Sequence, residues 1–190
     1  MNRTCEHCGE PINLRRAHAR TCSPRCRKAL SRQKSAQQQI PACLRSVDRW
    51  VGWEYRGRRG KPSKVPVDAT GRSLDVTDTA GWNSFTAARA THGEQVGFVL
   101  TGGDDISCID LDDVLDEHGT PAAEVGELIA ATSGVFYVEV SPSGRGLHVW
   151  HRGPAGPGSR RVENGLHVER YSRGRYITVT GNRFDGRKNG

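Results

Sequence analysis

The chain has 190 residues, with 28 Lys and Arg against 21 Asp and Glu, a formal net charge of +7 at pH 7 and a pI near 9.4. This length fits one domain, or one domain with a small additional module. Its apolar runs are far shorter than the roughly 18–20 residues of a membrane span, and its first residues lack the apolar region of a secretory signal. We therefore expect neither a membrane protein nor a secreted disulfide scaffold.

The charge is distributed in three blocks along the chain. Residues 1–64 have a formal charge of +12, residues 65–144 of −12 and residues 145–190 of +7. Basic stretches suit a polyanionic partner, because phosphates that are neutralised release counterions. An acidic block in such a protein indicates bound cations. The alternative, a solvated acidic surface, accounts for many of these carboxylates but less well for those inside an apolar strand.

Four of the six cysteines lie near the N-terminus in two close pairs, Cys5 with Cys8 and Cys22 with Cys26. Two such pairs with a short spacer are typical of a zinc site, since each pair can hold one side of a tetrahedral ion. The surrounding segment has too few apolar residues to fold alone, so metal binding would supply its folding free energy. Ser23 and Pro24 predict a helix that begins beside Cys26, as in treble-clef-like fingers.

Other roles for these residues remain open. A pair of disulfides is the alternative to zinc, but it is disfavoured without a secretion signal. His7 and His18 could replace a cysteine as zinc ligands, but the four cysteines already complete a tetrahedral site. Cys43 and Cys108 lie outside the pattern, and we expect them to be ordinary core or near-surface thiols.

Basic residues follow Cys26 on more than one helical face. This distribution favours general electrostatic attraction to a negatively charged partner over recognition of individual bases. The polar residues before Pro41 predict a linker. The predicted domains are a four-Cys zinc-finger module at 1–36, a linker at 37–46 and a main domain at 47–190.

The main domain is rich in strands. The predicted strands are 47–55, 96–100, 106–111, 135–140, 147–151, 166–171 and 175–180, and the predicted helices are 82–92 and 121–132. Residues 56–72 and 152–164 are predicted as loops. The second and third strands are predicted to form one hairpin, and the last two another. This pattern indicates an α+β fold with a largely antiparallel mixed sheet and flanking helices.

The first motif with chemical content is Ile109-Asp110-Leu111-Asp112. Strand residues alternate between faces, so Asp110 and Asp112 point the same way while Ile109 and Leu111 point into the core. Two neighbouring carboxylates repel each other unless a cation lies between them, and Mg²⁺ and Mn²⁺ prefer oxygen ligands. A solvent-facing strand would produce the same pattern.

The second motif runs from Ser143 through Gly144, Arg145 and Gly146 to His148. Its two glycines let the backbone approach an anion closely, and successive amides can line a phosphate nest. For binding the same anion, Arg145 adds a charged guanidinium group, Ser143 adds a hydroxyl and His148 adds a further hydrogen-bond donor. Each of these residues alone also fits a structural role.

The third motif places Glu169 on the polar face of a strand, followed by Arg175. Glu169 could supply a third carboxylate. A plain cross-strand ion pair between Glu169 and Arg175 is the alternative. Lys64 lies in the basic loop and could reach phosphates, although a solvated loop explains it equally well.

The order of these motifs closely resembles that of the archaeo-eukaryotic primase superfamily, in particular the small primase-polymerase domains of phages and plasmids. The sequence is also similar to the polymerase domain of bacterial end-joining ligases. Asp112 precedes His148 by 36 residues, and His148 precedes Glu169 by 21. The resemblance covers about residues 47–185 and implies a primase-polymerase core with an RRM-like module.

The resemblance implies a metal-dependent nucleotidyltransferase that makes or extends primers on single-stranded DNA. Asp110, Asp112 and Glu169 would hold two Mg²⁺ or Mn²⁺ ions and, with His148, form the catalytic set. The phosphate-binding set would be Ser143, Gly144, Arg145, Gly146 and His148, with Lys64 and Arg175 as weaker candidates. The implied partners are the template, NTPs or dNTPs and a separate helicase, in the cytoplasm of a bacterial host.

Two other functions remain open at this point. One is a non-catalytic replication initiator or nucleic-acid-binding module on the same fold. The other is a metal-dependent nuclease, which uses similar carboxylates but needs no triphosphate pocket. The sequence leaves open the choice between NTPs and dNTPs, and between starting primers and extending them.

Overall fold

The computed structural model describes residues 3–12, 19–58 and 61–186. They belong to two compact units, Met1–Gln39 and Ile40–Gly190. The helices are α1 Pro24–Gln39, α2 Ala42–Arg45, α3 Phe85–His92 and α4 Ala123–Ala131. The strands are β1 Trp50–Arg58, β2 Lys61–Val67, β3 Val96–Thr101, β4 Ile106–Asp112, β5 Val135–Val140, β6 Leu147–Arg152, β7 Ser159–Glu163, β8 Leu166–Tyr171 and β9 Arg173–Val179. A short 3₁₀ turn covers Thr79–Gly81.

The first unit is built on α1. Its start is as predicted, because Pro24 is the first helical residue and the Ser23 hydroxyl accepts a hydrogen bond from the Cys26 amide at 3.1 Å. The helix continues through Gln39, into the segment where the sequence predicts a linker. None of the helices in the described residues is long and apolar enough to cross a membrane.

The second unit contains two antiparallel sheets. One has four strands in the order β2-β1-β3-β9, and the other has five in the order β5-β6-β4-β8-β7. All the pairings within these sheets are antiparallel. The predicted α+β class with antiparallel pairing is therefore confirmed, but the strands are divided between two sheets.

One apolar core joins the two sheets. The four-stranded sheet contributes Phe98 and Ile177, among others, and the five-stranded sheet contributes Cys108 and Trp150. The rings of Phe98 and Trp150 meet edge to face with centroids 6.0 Å apart. Ile40 and Leu44 are buried in the same core, although they lie in the predicted linker 37–46.

A second core lies on the other face of the five-stranded sheet. Ile109, Leu111, Val149 and Val168 are buried there, and Val125 of α4 packs against them. The central strand β4 is therefore covered on both faces along most of its length, and its burial decreases only at Asp110 and Asp112. The end of β4 that carries Asp110 and Asp112 therefore lies at the margin of the packed interior.

Both predicted hairpins are wrong. The strand β3 pairs with β1 and β9, whereas β4 pairs with β6 and β8, so the chain changes sheets between β3 and β4 and again between β8 and β9. A tight turn between two strands looks the same in sequence whether the strands pair or separate. The ion pair between Glu169 on β8 and Arg175 on β9, which the sequence left open as an alternative, does not form, because these strands belong to different sheets.

Two strands lie where the sequence predicts loops. The strand β2 contains Pro62 and Pro66, and β7 is short, polar and mostly exposed. Each lies at the edge of its sheet. Proline is tolerated at an edge, where one side of the strand needs no partner, and edge strands are often polar. These features make both strands resemble loops in sequence.

Candidate active site and metal centre

Strand pairing places five polar residues in one row across the five-stranded sheet. Glu139 on β5 lies opposite His148 on β6, and His148 lies opposite Asp110 on β4. Asp110 also lies opposite Glu169 on β8, which lies opposite Arg160 on β7. Directly opposed residues of antiparallel strands project to the same face. We call these five residues the polar row.

The polar row adjoins an apolar row on the same face. Two residues away along β5, β6, β4 and β8, the same mutual register holds for Tyr137, Trp150, Cys108 and Tyr171. These residues pack in or against the core that joins the sheets. The face therefore changes from apolar to polar within one repeat of the strand, at the margin of the core.

His148 lies between two carboxylates of the polar row. Its Nδ1 atom is 3.3 Å from Oε1 of Glu139, and its Nε2 atom is 3.7 Å from Oδ1 of Asp110. The histidine is 2% exposed and Glu139 is fully buried. The ring is therefore fixed on one side by the protein interior, while its other nitrogen faces Asp110.

Asp110 and Asp112 lie on the opposite face of β4 from Ile109 and Leu111, as the alternation predicts. Asp110 is partly buried and Asp112 is exposed. Burial raises the pKa of Asp112, and the neighbouring carboxylates, above all Asp110 and Glu169, raise it further. This end of β4 therefore concentrates negative charge.

Glu169 is held by two neighbours. It forms an ion pair at 2.9 Å with Nε of Arg160, which is exposed on the edge strand β7. It also accepts a hydrogen bond from the Tyr171 hydroxyl. The guanidinium of Arg175 lies over the Tyr171 ring, 4.8 Å from its centroid. Glu169 thus lies within a small network of two arginines and one aromatic hydroxyl.

A cleft of about 630 Å³ opens between the two sheets beside the polar row. The five-stranded sheet lines it with Asp110 and His148, and the four-stranded sheet with Lys64, Arg175 and Tyr176. The Tyr176 hydroxyl donates to the carbonyl of Lys64 at 2.8 Å, which joins β9 to β2 on that wall. The fold therefore places Asp110 and His148 opposite a wall that carries Lys64 and Arg175, which we call the cationic wall. Asp75 also lines this cleft, whose size is common for ligand sites.

The Ser143–Gly146 segment forms the turn between β5 and β6, next to the end of β4. The Gly144 amide donates to the Ser141 carbonyl at 3.0 Å, and Gly144 has a φ of +77°. A Cβ on Gly146 would lie 2.6 Å from the Leu111 carbonyl, so close packing on β4 itself requires this glycine. The turn is thus anchored beside the acidic end of β4.

The turn is not part of the cleft lining described above. Arg145 is exposed and pairs at 2.8 Å with Asp113, which immediately follows β4. The Ser143 hydroxyl lies 3.0 Å from that of Ser141 and accepts from the Arg145 amide. The structure therefore brings Asp110, His148, Lys64 and Arg175 to one cleft, and keeps Arg145 on a neighbouring surface.

The carboxylates suit a divalent cation by their chemistry. Mg²⁺ and Mn²⁺ favour oxygen ligands, and a cation would offset the repulsion that raises the pKa of Asp112. Among the described residues, the four N-terminal cysteines form a ligand group close enough to hold a metal ion, whereas Asp110, Asp112 and Glu169 do not form such a group. Arg160 and Tyr171 hold the Glu169 carboxylate in this arrangement.

The ligand atoms of Cys5, Cys8, Cys22 and Cys26 lie within 4.8 Å of one another. Cys8 and Cys22 are 3.5 Å apart at sulfur, and Cys22 and Cys26 are 3.4 Å apart. Four thiolates at about 2.3 Å from one tetrahedral Zn²⁺ would lie about 3.8 Å apart. The four sulfurs therefore fit one zinc ion.

The other predictions about the cysteines can be compared with the structure. All six cysteines are free thiols, which disagrees with the alternative of two disulfides. His7 is exposed and is not part of the four-cysteine cluster, and His18 lies outside the described residues. Cys108 is a buried core thiol, and Cys43 is partly buried against the same core, as expected.

Sequence reasoning missed several residues of this site. Glu139 is the most informative, because it is a fully buried carboxylate beside His148. Its signal was a single acidic residue inside the apolar strand β5. Arg160 was missed because its proximity to Glu169 depends on the pairing of β7, a strand that the sequence did not indicate. Tyr171 lies two residues after Glu169 on β8, and the alternation of strand faces was the signal that could have found it.

The fold and site define an α+β protein whose sheet carries a row of carboxylates and a histidine next to a cationic cleft. The chain is 35% identical over 160 residues to the DNA primase-polymerase of Nitratiruptor phage NrS-1. The match covers 78% of this chain and 21% of that protein. No protein-family model matches the chain. The resemblance to phage primase-polymerases is therefore confirmed, and this chain is a relative of one part of such a protein.

Proposed function

We propose that the chain is a metal-dependent nucleotidyltransferase that makes or extends DNA or primers on a single-stranded template. One observation carries this proposal: Asp110 and His148 of the polar row line one cleft with Lys64 and Arg175 of the opposite sheet. Transfer to a triphosphate needs anions that hold metal and cations that hold phosphate, and the cleft supplies both. The named activity of the phage relative supports the same reaction.

Asp110, Asp112 and Glu169 would hold the divalent ions. Two such ions would lower the pKa of the attacking 3′-hydroxyl and neutralise charge on the leaving pyrophosphate. Asp110 and Asp112 already lie on one strand face, whereas Glu169 would exchange its ion pair with Arg160 for this role. The chain itself provides positioning and charge, and phosphoryl transfer needs no protein nucleophile.

The remaining residues of the site would hold the nucleotide. His148 would present Nε2 to the triphosphate, and Lys64 and Arg175 would contact phosphates from the opposite wall. Ser143, Gly144 and Gly146 would offer a hydroxyl and backbone amides at the adjoining turn. Arg145 would leave its exposed partner Asp113 to bind a phosphate, at small cost, since exposed ion pairs are worth about 0–1 kcal/mol.

The four-Cys unit would bind one structural Zn²⁺ and contact the template. Arg25, Lys28 and Arg32 of α1 are exposed, which suits the phosphate backbone of single-stranded DNA. We propose the division of the chain into this zinc-binding unit and a catalytic unit that contains both sheets. A separate helicase is the further partner that the primase-polymerase resemblance implies.

The test is incubation of the full chain with labelled dNTPs or NTPs, Mn²⁺ or Mg²⁺ and a single-stranded template, with and without a primer. Template-dependent product supports the proposal, and the two primer conditions separate starting from extension. Binding of the template without any incorporation by folded, metal-loaded protein would instead favour a binding module. Degradation of the template would favour a nuclease.

A further inference from the structure

A second cavity, of about 180 Å³, lies at the five-stranded sheet and is lined in part by Ser107, His151 and Arg170. None of the described residues that line the cleft beside the polar row lines this cavity. Its volume is several times the roughly 30 Å³ that one water molecule occupies in the liquid. The cavity therefore has room for a small polyatomic ion.

Strand pairing brings these polar residues to one face of the sheet. Ser107 on β4 lies opposite His151 on β6, and Arg170 on β8 lies opposite Ile109. Opposed residues, and residues two apart along a strand, project to the same face. The three polar residues therefore share the face of the second core, to which Ile109 belongs, and lie near the start of β4, whereas Asp112 ends that strand. We call this space the back-face cavity.

The Ser107 hydroxyl is an unsatisfied group of the back-face cavity. Ser107 is 4% exposed, and its Oγ atom is buried with no hydrogen-bond partner among the described residues. A buried hydroxyl without a partner costs free energy, and alanine at this position would avoid that cost. The cost is recovered when a molecule that enters the cavity accepts the hydroxyl hydrogen.

The charge of the lining favours an anion as that molecule. Among the described residues that line the cavity, Arg170 is the one Lys or Arg, and none is Asp or Glu. Both terminal nitrogens of Arg170 donate to Glu163, which lies outside this lining and holds the guanidinium in place. A hydroxyl, an imidazole and an oriented guanidinium form a donor set that suits the oxygens of an oxyanion.

The segment before β7 closes the cavity. The Gly156 amide donates to the Ser172 hydroxyl oxygen at 2.9 Å, and this hydroxyl donates to the Gly156 carbonyl at 3.0 Å. Ser172 is buried, so the two hydrogen bonds hold the segment against the sheet. Pro154 and Pro157 also line the cavity, and their rings restrict the backbone there. The cavity is therefore a preformed feature of the fold.

We propose that the back-face cavity is a second anion site, separate from the cleft, which binds one phosphate group through Ser107, His151 and Arg170. The phosphate group belongs either to a free phosphate compound or to the backbone of a nucleic-acid strand, since both present the same oxygens. The proposal does not depend on the proposed function, because none of the residues of this site belongs to the polar row or the cationic wall.

The test is a titration of the full-length ¹⁵N-labelled chain with inorganic phosphate at constant ionic strength, followed through the backbone amides. We expect saturable shifts at Ser107, His151 and Arg170. The amides of Lys64 and Arg175 report separately on phosphate in the cleft. Shifts confined to the cleft would overturn the proposal. Shifts at the back-face cavity that do not saturate would also overturn it, because water then fills the cavity.

The substitution Ser107→Ala tests the role of the hydroxyl. We expect it to weaken phosphate binding at the back-face cavity by about tenfold or more, because it removes a hydrogen bond to a charged group. The melting temperature without phosphate should stay the same or rise. A serine that served only the fold would instead lower the melting temperature and leave phosphate binding unchanged. Unchanged binding in folded Ser107→Ala would overturn the proposal, and the wild-type titration decides if this variant does not fold.

Thr120→Val is the matched control. The Thr120 hydroxyl oxygen is also buried without a partner among the described residues, but Thr120 is not part of the described lining of the cavity. We expect this variant to bind phosphate as the wild type does. Equal weakening in both variants would overturn the assignment to Ser107.

A second titration, with a short single-stranded oligodeoxynucleotide, identifies the source of the phosphate. Saturable shifts at the same amides, weakened by Ser107→Ala, assign the site to the backbone of a strand. Shifts with inorganic phosphate alone assign it to a free phosphate compound, and no shift with either ligand overturns the proposal. Failure of nucleotide incorporation would instead contradict the proposed function and leave this site unaffected.

Discussion

The two candidate metal sites of this chain differ in what assembles them. In the four-Cys unit the ligands converge within 4.8 Å, while the described residues of the cysteine-bearing segment have little core beyond Cys5 and Ile12. In the two-sheet unit a large core positions Asp110, and the three predicted carboxylate ligands do not converge to that extent. From this comparison we propose that metal would fold the first site, whereas the fold would prepare the second to receive metal and substrate together.

The largest expected effect concerns the four-Cys unit. We expect that removing zinc with a chelator, or the double variant Cys22→Ser with Cys26→Ser, unfolds this unit and leaves the two-sheet unit folded. Structural zinc supplies about 10–16 kcal/mol in zinc-finger peptides, far more than so small a core can replace. Amide hydrogen exchange of each unit measures the effect, and Cys43→Ser is the matched control. Equal protection of α1 with and without zinc would remove the contrast between the sites.

The next effect concerns the carboxylates on β4. Asp110→Asn with Asp112→Asn should lower nucleotide incorporation by at least about 10³-fold, since loss of metal-held charge at a phosphoryl group removes several kcal/mol of transition-state stabilisation. The melting temperature should stay the same or rise, because the substitution relieves repulsion that raises the pKa of Asp112. Glu117→Gln, on the exposed loop after β4, is the control. Retained incorporation by the double variant would show that the polar row is not the reaction centre.

The cationic wall of the cleft should contribute less. We expect Lys64→Ala and Arg175→Ala each to raise the KM for the nucleotide or template by about 10- to 100-fold, because a hydrogen bond to a charged group contributes about 1.5–3 kcal/mol. Steady-state kinetics at varied nucleotide and template concentrations would assign each residue to one ligand. Arg161→Ala, on the opposite face of β7, is the control. Unchanged KM values in both variants would limit the site to the five-stranded sheet.

The smallest effect concerns the ion pair between Arg160 and Glu169. Arg160 occupies a carboxylate that we expect to hold metal, so Arg160→Ala should lower the Mn²⁺ concentration needed for half-maximal activity. Arg160 is exposed, and exposed pairs contribute about 0.2–1 kcal/mol, which corresponds to a change of about fivefold at most. A Mn²⁺ titration measures it against Arg161→Ala. A higher Mn²⁺ requirement would mean that Arg160 assists the site instead of competing for Glu169.

The sequence predicted the parts of the site that depend on local pattern. Alternation along β4 placed Asp110 and Asp112 on one face, and the two cysteine pairs indicated the metal-binding cluster. It did not predict the polar row, because a row depends on the register of β5, β6, β4, β8 and β7. Glu139 therefore stood as an isolated acidic residue until strand pairing placed it beside His148.

The sequence also failed where a local signal has two meanings. Pro62 and Pro66 indicate a loop, yet an edge strand accommodates both prolines. The turn after β3 suggested a hairpin, but Arg49 binds Thr101 and Asp104 of that turn while the chain passes to the other sheet. Such passages of the chain from one sheet to the other depend on packing between residues far apart in sequence. The cleft between the two sheets could therefore not be predicted from any single motif.

The most direct test of the central claim is a crystal structure of the full chain with Mn²⁺ and a nucleotide whose α–β phosphate bridge cannot be cleaved. We predict anomalous scattering from Mn²⁺ beside Asp110 and Asp112, and a triphosphate between His148 and the wall that carries Lys64 and Arg175. Mn²⁺ and nucleotide bound elsewhere, with the polar row unchanged and the cleft without either, would contradict it.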